Sequence, residues 1–516
     1  MSRRSSARTR RGPDSRSSTF YAPAVSELSL ETRRTLTLAA TILGSSLAFI
    51  DATVVFVALP TLERDLNLGL TGQQWVVLSY SLALASLYLA GGAVGDRYGR
   101  RTAFTAGVVG FAAASAIAGA APNGGALIAA RTLQGIAGAF LTTNSLALLR
   151  SVYGDQAGRA IGLWTAFTSV ATIGGPPAGG ALVEWVSWRW IFFLNLPLAV
   201  ATVVLARLGR CDERTQVRVG RLDIPGAALA ALGFGTLTYG LVEGTSKGFG
   251  NVWWSFVVAA LALAGFVWVE RHVEEPMLPL EVFRERNFAF ANLETFLVYG
   301  AIYAQLIYFQ LYLQFIGFSP FEASLVTIPS GALMILLAAR FGALADRSGP
   351  RLFLATGPAM LAVSILLILL VRSRGDFWIA GTLSVLLAGL SLALFVAPIT
   401  ATALKSAPAE YAGIASGVNS TVSRLGNLLA VALVGLVVSL VFHGRVDAPK
   451  ADPLATTQKA PALRDASIEG FRAGMLLAAG LALAGATVGA LGITNLRRPE
   501  PAATEVSAPA AAPVES

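Results

Sequence analysis

About fourteen times along this chain, a run of roughly twenty almost wholly apolar residues is followed by a short polar break. A helix of that length matches a hydrocarbon core of about 30 Å, and it is longer than a buried strand or an ordinary core helix requires. The runs lie at roughly 36–59, 73–91, 103–121, 126–149, 160–182, 190–207, 224–242, 252–269, 288–311, 322–339, 352–371, 377–399, 413–441 and 473–494. No alternation of period two recurs, which argues against a membrane barrel of strands. Only 13% of the 516 residues are charged, whereas a soluble chain of this size uses about 25% to solvate its surface. The expected fold is all-α and integral to a membrane.

With an even number of spans, both termini lie on one side, and Arg and Lys choose the side. If that side is the cytoplasm, the inner segments hold 27 of the 39 basic residues, the outer loops hold 10, and Arg131 and Arg424 fall inside spans. Both termini are therefore expected in the cytoplasm. The net charge of +9 then reflects topology rather than nucleic-acid binding. One cysteine (Cys211) and two histidines exclude a disulfide framework and a Cys/His metal cage. No cofactor is expected, and no phosphate loop of the G-x-x-x-x-G-K-[ST] type is present. Basic residues are 35 Arg to 4 Lys, a bias that points to a GC-rich bacterial genome and hence a bacterial inner membrane.

The chain repeats itself. GAVGDRYGRR (92–101) and GALADRSGPR (342–351) agree at six of ten positions, and follow the second and tenth spans. The plain reading is two six-helix halves with two extra helices inserted between them. The expected domains are a basic unstructured tail (1–34), a first half (35–207), a linker with helices 7 and 8 (208–271), a second half (272–496) and an unstructured tail (497–516). Transporters made of related halves hold cargo near the bilayer midplane, between the halves.

These residues resemble a known family. GAVGDRYGRR resembles the loop between helices 2 and 3 of the major facilitator superfamily. LIAARTLQGIAGA (127–139) is similar to the helix-4 motif of its proton antiporters, and Gly162 with GPPAGG (175–180) to their helix-5 motif. DATVVFVALP (51–60) and WRWIFFLNLP (188–197) resemble the fourteen-helix drug:proton antiporter branch, the EmrB/QacA type. The resemblance spans about Leu36 to Leu496 and implies proton-coupled export of small molecules. Two departures stand out: Ala171 where the family motif has Gly, and Phe56 where it has Asn.

Read one by one, the marked residues suggest roles. Asp51 lies deep in the first span among apolar neighbours, where burial disfavours the charged form. Arg131 lies inside the fourth span, where a charge is expensive unless paired or wetted, so its partner is Asp51 or cavity water. A snorkelling Arg near the interface is the bland alternative. Glu294 in the ninth span is the third proton-coupling candidate, with an interfacial carboxylate as its alternative. Gln134, one turn from Arg131, joins Phe56, Tyr299 and Tyr303 as expected cavity-lining residues, though the aromatics fit core packing equally well. In the duplicated loop, Gly92 and Gly99 permit a tight reversal, and Asp96, Arg97, Arg100 and Arg101, with Asp346 and Arg347 in the second copy, are read as a latch on the cytoplasmic face. A charged turn obeying the positive-inside rule is the alternative. Gly162, Gly175, Pro176, Gly179 and Gly180 are read as a kink that, by the resemblance, suppresses leak. Glu184, Glu243 and Glu322 fall at outer helix ends and read as solvated.

The leading function is a proton antiporter that exports small amphipathic or cationic molecules such as drugs, working as a monomer with cargo, protons and lipid as its only partners. The alternative keeps the fold and narrows the cargo to one self-made metabolite. A membrane enzyme needs catalytic groups clustered at an interface, and these are not visible. From the charge asymmetry, a membrane-impermeant thiol reagent should label Ala455→Cys in intact cells and leave Cys211 unlabelled until lysis. The reverse pattern would invert the topology.

Overall fold

In the computed structural model, residues 28–210, 223–273, 278, 280–407, 412–448, 451–458 and 460–495 are described. Residues 1–27 and 496–516 and the loop around Cys211 lie outside them. The described residues form helices and no strand. We number the long ones α1 Leu30–Leu66, α2 Gly69–Tyr98, α3 Arg100–Gly119, α4 Gly124–Tyr153, α5 Ala157–Trp185, α6 Trp190–Leu208, α7 Ile224–Lys247, α8 Phe249–His272, α9 Arg286–Phe315, α10 Pro320–Ser348, α11 Arg351–Ile368, α12 Arg374–Ser406, α13 Ala412–Arg445 and α14 Pro461–Gly492.

Local chemistry sets these ends. The Asn123 side chain caps the Ala126 amide of α4, and Asp223 caps Gly226 at the start of α7, where Pro225 also fits the first turn. Ser319 with Glu322, and Ser373 with Asp376, close reciprocal capping boxes at the starts of α10 and α12. The helices run longer than their apolar runs because such caps carry them into the polar boundary. Thus α1 begins at Leu30, behind the Ser29 cap, inside the stretch expected to be tail.

Twelve of these helices are long and apolar enough to cross a membrane, and α2 makes thirteen when its two segments, bent by 51°, count as one span. Composition among the described residues thus licenses twelve or thirteen crossings, not the fourteen expected. The remaining helix, α5, is 29 residues long, but its six glycines and two prolines dilute its apolar character.

Packing repeats with an offset of eight helices. In the first half α2 and α3 pack on α4, and α1 packs on α5 and α6; in the second, α10 and α11 pack on α12, and α9 packs on α13 and α14. Small residues permit the close crossings: a Cβ on Gly107 would meet the Leu141 amide at 2.6 Å, and one on Gly426 the Phe296 carbonyl at 2.2 Å. The inserted pair is a hairpin, in which α7 packs on α2 and α13 while α8 touches mainly α7. Trp75 of α2 donates to Glu243 of α7 at 2.8 Å, so Glu243 is a packing contact rather than a solvated end.

Among the described residues, the hydrogen bonds between the halves lie at the end away from the duplicated turns. Gln314 of α9 donates to the Val57 carbonyl of α1 at 2.9 Å, and Gln74 of α2 donates to the Tyr308 hydroxyl of α9 at 2.9 Å. Two carboxylates complete this seal. Glu184, at the end of α5, accepts from the Phe321 amide in the first turn of α10 at 3.0 Å. Asp452, just beyond α13, accepts from the Leu70 amide in the first turn of α2 at 3.4 Å. Under the offset of eight, α5 corresponds to α13 and α2 to α10, so the two contacts are copies of one another. Each places a negative charge on the positive end of a helix from the other half. Glu184 is exposed and Glu322 partly so, as expected of outer helix ends, yet each also has a partner: the Phe321 amide for Glu184, and Arg374 and its own cap for Glu322.

Ala455 is itself buried, whereas Thr457 in the same loop is exposed, so Thr457→Cys is the better reporter for the topology test. A second expectation follows from the seal. Glu184→Ala combined with Asp452→Ala should raise several-fold the rate at which Phe56→Cys reacts with a thiol reagent supplied from the sealed side, in a Cys211→Ser background. An unchanged rate would mean that apolar contacts such as Trp185 on Phe321 hold that end alone.

Candidate functional site

Asp51 sits midway along α1 with no exposed surface, and Arg131 of α4 is 1% exposed. An Arg131 Nη1 hydrogen bond closes the pair on Asp51 Oδ2. Neither charge reaches water, so each must be met by fixed dipoles. Asp51 Oδ1 accepts from Gln134 Nε2 at 3.0 Å and from Asn195 Nδ2 of α6 at 3.1 Å. Arg131 donates from Nε to the Val76 carbonyl of α2 at 3.1 Å and from Nη1 to Gln134 Oε1 at 2.9 Å. Its guanidinium lies 4.4 Å from the centroid of the Tyr80 ring, a cation–π contact that needs no further donor. Ser115 of α3 closes the cluster, accepting from Gln134 Nε2 at 2.8 Å and from Asn195 Nδ2 at 3.2 Å. Five of the six helices of the first half therefore meet at one ion pair.

Of the expected cavity residues, Gln134 belongs to this cluster and is fully buried. Phe56 meets Tyr303 edge-on across the seam between α1 and α9, with centroids 6.5 Å apart, and Tyr299 lies 6.0 Å from Phe395 of α12. Glu294 is remote from Asp51. It is buried without exposed surface and neither carboxylate oxygen has a hydrogen-bond partner. A Cβ on Gly489 of α14 would stand 3.0 Å from its Oε1. The interfacial alternative for Glu294 is thus excluded, and the three proton-coupling candidates split into a pair and a lone acid in opposite halves.

The duplicated turns have a shared backbone, with φ of +95° at Gly99 and +92° at Gly349, where a side chain would be strained. Gly92 has room to spare, whereas a Cβ on Gly91 would lie 2.8 Å from the Ala139 carbonyl oxygen and one on Gly95 1.6 Å from Asn144 Oδ1, so the tight approaches flank the glycine expected. Asp96 pairs with Arg100 at 2.9 Å, Arg100 also donates to the Ala147 carbonyl at 3.0 Å, and Arg101 donates to the Ala206 carbonyl at 2.6 Å. Arg97 lies beside the Tyr98 ring. In the second copy, Asp346 pairs with Lys405 at 2.7 Å, and Arg347 adjoins it on the exposed surface. These contacts tie each turn to its own half. On α5, a Cβ on Gly179 would meet Val54 Cγ2 at 1.9 Å, one on Gly175 would meet Thr53 Oγ1 at 3.0 Å, and one on Gly180 would press on the α10 backbone at 2.9 Å, while Gly162 faces open space. Pro176 lies within the helix between those contacts.

Ser115, Asn195 and Tyr80 went unnoticed in the sequence. Asn195 lies in the quoted WRWIFFLNLP, where an amide among apolar residues was a visible signal. Ser115 gave little, because a serine in a membrane helix is commonly satisfied by the carbonyl one turn back, as Ser115 is by Phe111 at 2.8 Å.

A polytopic helical bundle of two similarly packed halves, with a buried ion pair in one of them, defines a membrane transporter. The chain belongs to the Major Facilitator Superfamily, whose family model matches residues 41–431. It is 36% identical over 409 residues to the multidrug resistance protein Stp of Mycobacterium tuberculosis (strain CDC 1551 / Oshkosh), covering 78% of this chain and 76% of that one. It is 32% identical over 407 residues to the tetracenomycin C resistance and export protein of Streptomyces glaucescens, with 78% and 76% covered. A bacterial homolog of the human lysosomal transporter Spinster, solved inward-facing and unoccupied, shares the fold at a TM-score of 0.65 and 17% identity, over 89% of this chain and 97% of that one.

Removing one partner from a buried ion pair strands the other, at about 3–5 kcal/mol. Arg131→Met should therefore lower the thermal stability of the detergent-solubilised protein sharply, and adding Asp51→Asn should restore part of the loss. Losses that simply add would show that the two side chains do not interact.

Proposed function

We propose that this chain is a proton-coupled exporter of amphipathic, drug-like molecules, and that Asp51 is its coupling carboxylate. The observation that carries the reading is a carboxylate without exposed surface whose one charged partner, Arg131, is also held by Gln134, the Val76 carbonyl and the Tyr80 ring. Arg131 thus keeps its other partners when Asp51 is neutralised, which lets the site pass through a protonated state without collapse. In that state the site carries one more positive charge and disfavours a cationic cargo; in the ionised state it favours one. Alternation between the two links cargo to proton. One proton moving inward supplies about 2.3 kcal/mol per 100 mV of potential, plus the pH gradient.

Export as the direction, and drugs as the cargo, are supported by relatives named for multidrug resistance and for tetracenomycin C resistance and export. A relative named for one compound also favours a second reading, in which the cargo is a single self-made metabolite. We place the duplicated turns and both termini in the cytoplasm of a bacterial inner membrane, on the strength of the basic-residue asymmetry. We count fourteen spans by adding α2 and α5 to the twelve apolar helices, which gives the layout of the EmrB/QacA branch. The two halves then act as rocking bodies and α7–α8 as an insertion, in a chain that works as a monomer. Phe56, Tyr299 and Tyr303 lie toward the cargo path, the helix-5 glycines and Pro176 keep α1 and α10 close, and Glu294 is a second proton site.

Asp51→Asn should reach the membrane yet lose cargo-induced proton release from inverted vesicles, and Asp51→Glu should keep part of it, at matched expression. If Asp51→Asn still releases protons when cargo is added, coupling lies elsewhere, and Glu294→Gln becomes the variant to measure. A susceptibility panel with and without an uncoupler separates broad export from a single cargo.

A further inference from the structure

Within the Asp51 cluster one atom is left over. Asn195 is 1% exposed and its Nδ2 makes both of its hydrogen bonds, to Asp51 and to Ser115, while its Oδ1 is buried without a partner. An orphaned buried acceptor is costly and calls for a reason.

The neighbouring hydrogens show why the amide points this way. The single hydroxyl proton of Ser115 is committed to the Phe111 carbonyl at 2.8 Å, so Ser115 Oγ presents only lone pairs to Gln134 and Asn195. The ionised Asp51 likewise presents only acceptors. Turning Asn195 to place Oδ1 where Nδ2 lies would set oxygen against two acceptors. While Asp51 is charged, the amide is therefore fixed, and its oxygen goes without.

Protonation reverses the constraint. A proton taken from water onto Asp51 Oδ1 turns that oxygen into a donor that needs an acceptor. Gln134 cannot supply one, because its Oε1 is held by Arg131 Nη1 at 2.9 Å while its Nε2 bonds Ser115 at 2.8 Å. Arg131 and Tyr80 are the titratable groups facing Asp51, from α4 and α2. Arg131 offers only N–H groups, and the Tyr80 hydroxyl is directed at the Ala48 carbonyl at 3.5 Å. From α3 and α6 come Ser115 and Asn195.

We propose that Asn195 is a two-way amide that follows the protonation of Asp51, donating from Nδ2 to the carboxylate and, after a half-turn about Cβ–Cγ, accepting at Oδ1 from the carboxyl. The proposal rests on Asp51 being the coupling site. In the turned state Ser115 swings its hydroxyl from Phe111 to Asn195 Oδ1, and the Phe111 carbonyl keeps its ladder bond within α3. One O–H bond forms on Asp51 and one breaks on the hydronium that delivers the proton; no other covalent bond changes. The buried acceptor is then occupied and Nδ2 takes the place that Oδ1 left, so the unmet group is the oxygen in one half of the cycle and the amide hydrogens in the other. Asn195 is a positioning residue: it gives each protonation state of Asp51 a partner.

The test is infrared difference spectroscopy, acid minus neutral, on the full-length protein in lipid. In the wild type, the carboxyl C=O band abolished by Asp51→Asn should lie where a hydrogen-bonded carboxyl absorbs. In Asn195→Leu it should move to the frequency of a free carboxyl, with exchange slowed about tenfold for one lost hydrogen bond. Wild-type protein with ¹³C in its asparagine side-chain carbonyls should show an isotope-sensitive band pair that is missing in Asp51→Asn, a readout that does not depend on the Leu variant folding. An Asp51 band unmoved by Asn195→Leu, or no isotope-sensitive pair, overturns the amide proposal alone. No titrating Asp51 band at all overturns it together with the coupling role of Asp51.

Discussion

The first half of this protein is organised by the need to keep Asp51 and Arg131 out of trouble in a dry interior. Two opposite charges there attract strongly, but each has also lost its hydration, and the pair is tolerable only if the remaining donors and acceptors are met. Val76, Gln134, Asn195, Ser115 and Tyr80 supply those contacts from α2, α3, α4 and α6. The requirement acts over distance along the sequence: α4 must present Arg131 toward α1, and α6 must be close enough for Asn195 to reach the same carboxylate. The second half has the same helix pairing and, among its described residues, no such centre. There α9 and α14 meet through aromatic packing, with Tyr312 stacked on Phe471 at 3.9 Å, and Glu294 is left with no partner. The repeat has preserved architecture and let the chemistry diverge.

The seam between the halves divides its duties by depth. At one end, amide side chains and two carboxylates cross it, and each carboxylate rests on the first turn of a helix from the other half. At the other end, the ionic contacts of the duplicated turns stay within their own halves. Moving the halves would therefore break few bonds at the turn-bearing end and several at the other. Because the two carboxylate contacts are related by the repeat, a rotation about the axis between the halves loads both at once.

The helices were legible from apolar run length, because hydrocarbon thickness allows few alternatives, and the two-half plan from ten duplicated residues. Asp51 was legible as one of two partners for Arg131, the other being cavity water, since a charge in an apolar run is costly unless paired or wetted. Three things were hidden. Gly92 looked like the close-packing glycine, but which glycine meets a neighbour depends on the rotation of α2 against α4, and that selects Gly91 and Gly95. The Glu184 contact was hidden because nothing in the sequence says that this exposed glutamate will find a helix start 137 residues away. Asn195 and Ser115 are ordinary polar residues until the fold brings them to the same oxygen. Composition stops at twelve or thirteen crossings because α5 gives up apolar character for the glycines that let α1 approach.

The α7–α8 hairpin bears on how molecules dissolved in the bilayer meet this protein. It leans on α2 and α13, which form one of the two flanks where the halves meet, and turns outward Trp253 and Trp254 at one end and Trp268 at the other, like the aromatic belts that anchor spans at both membrane boundaries. The opposite flank, between α5 and α10, has no such cover among the described helices. The two side doors of an otherwise pseudo-symmetric bundle are therefore unequal: one is roofed by protein, and the other is left to the lipid.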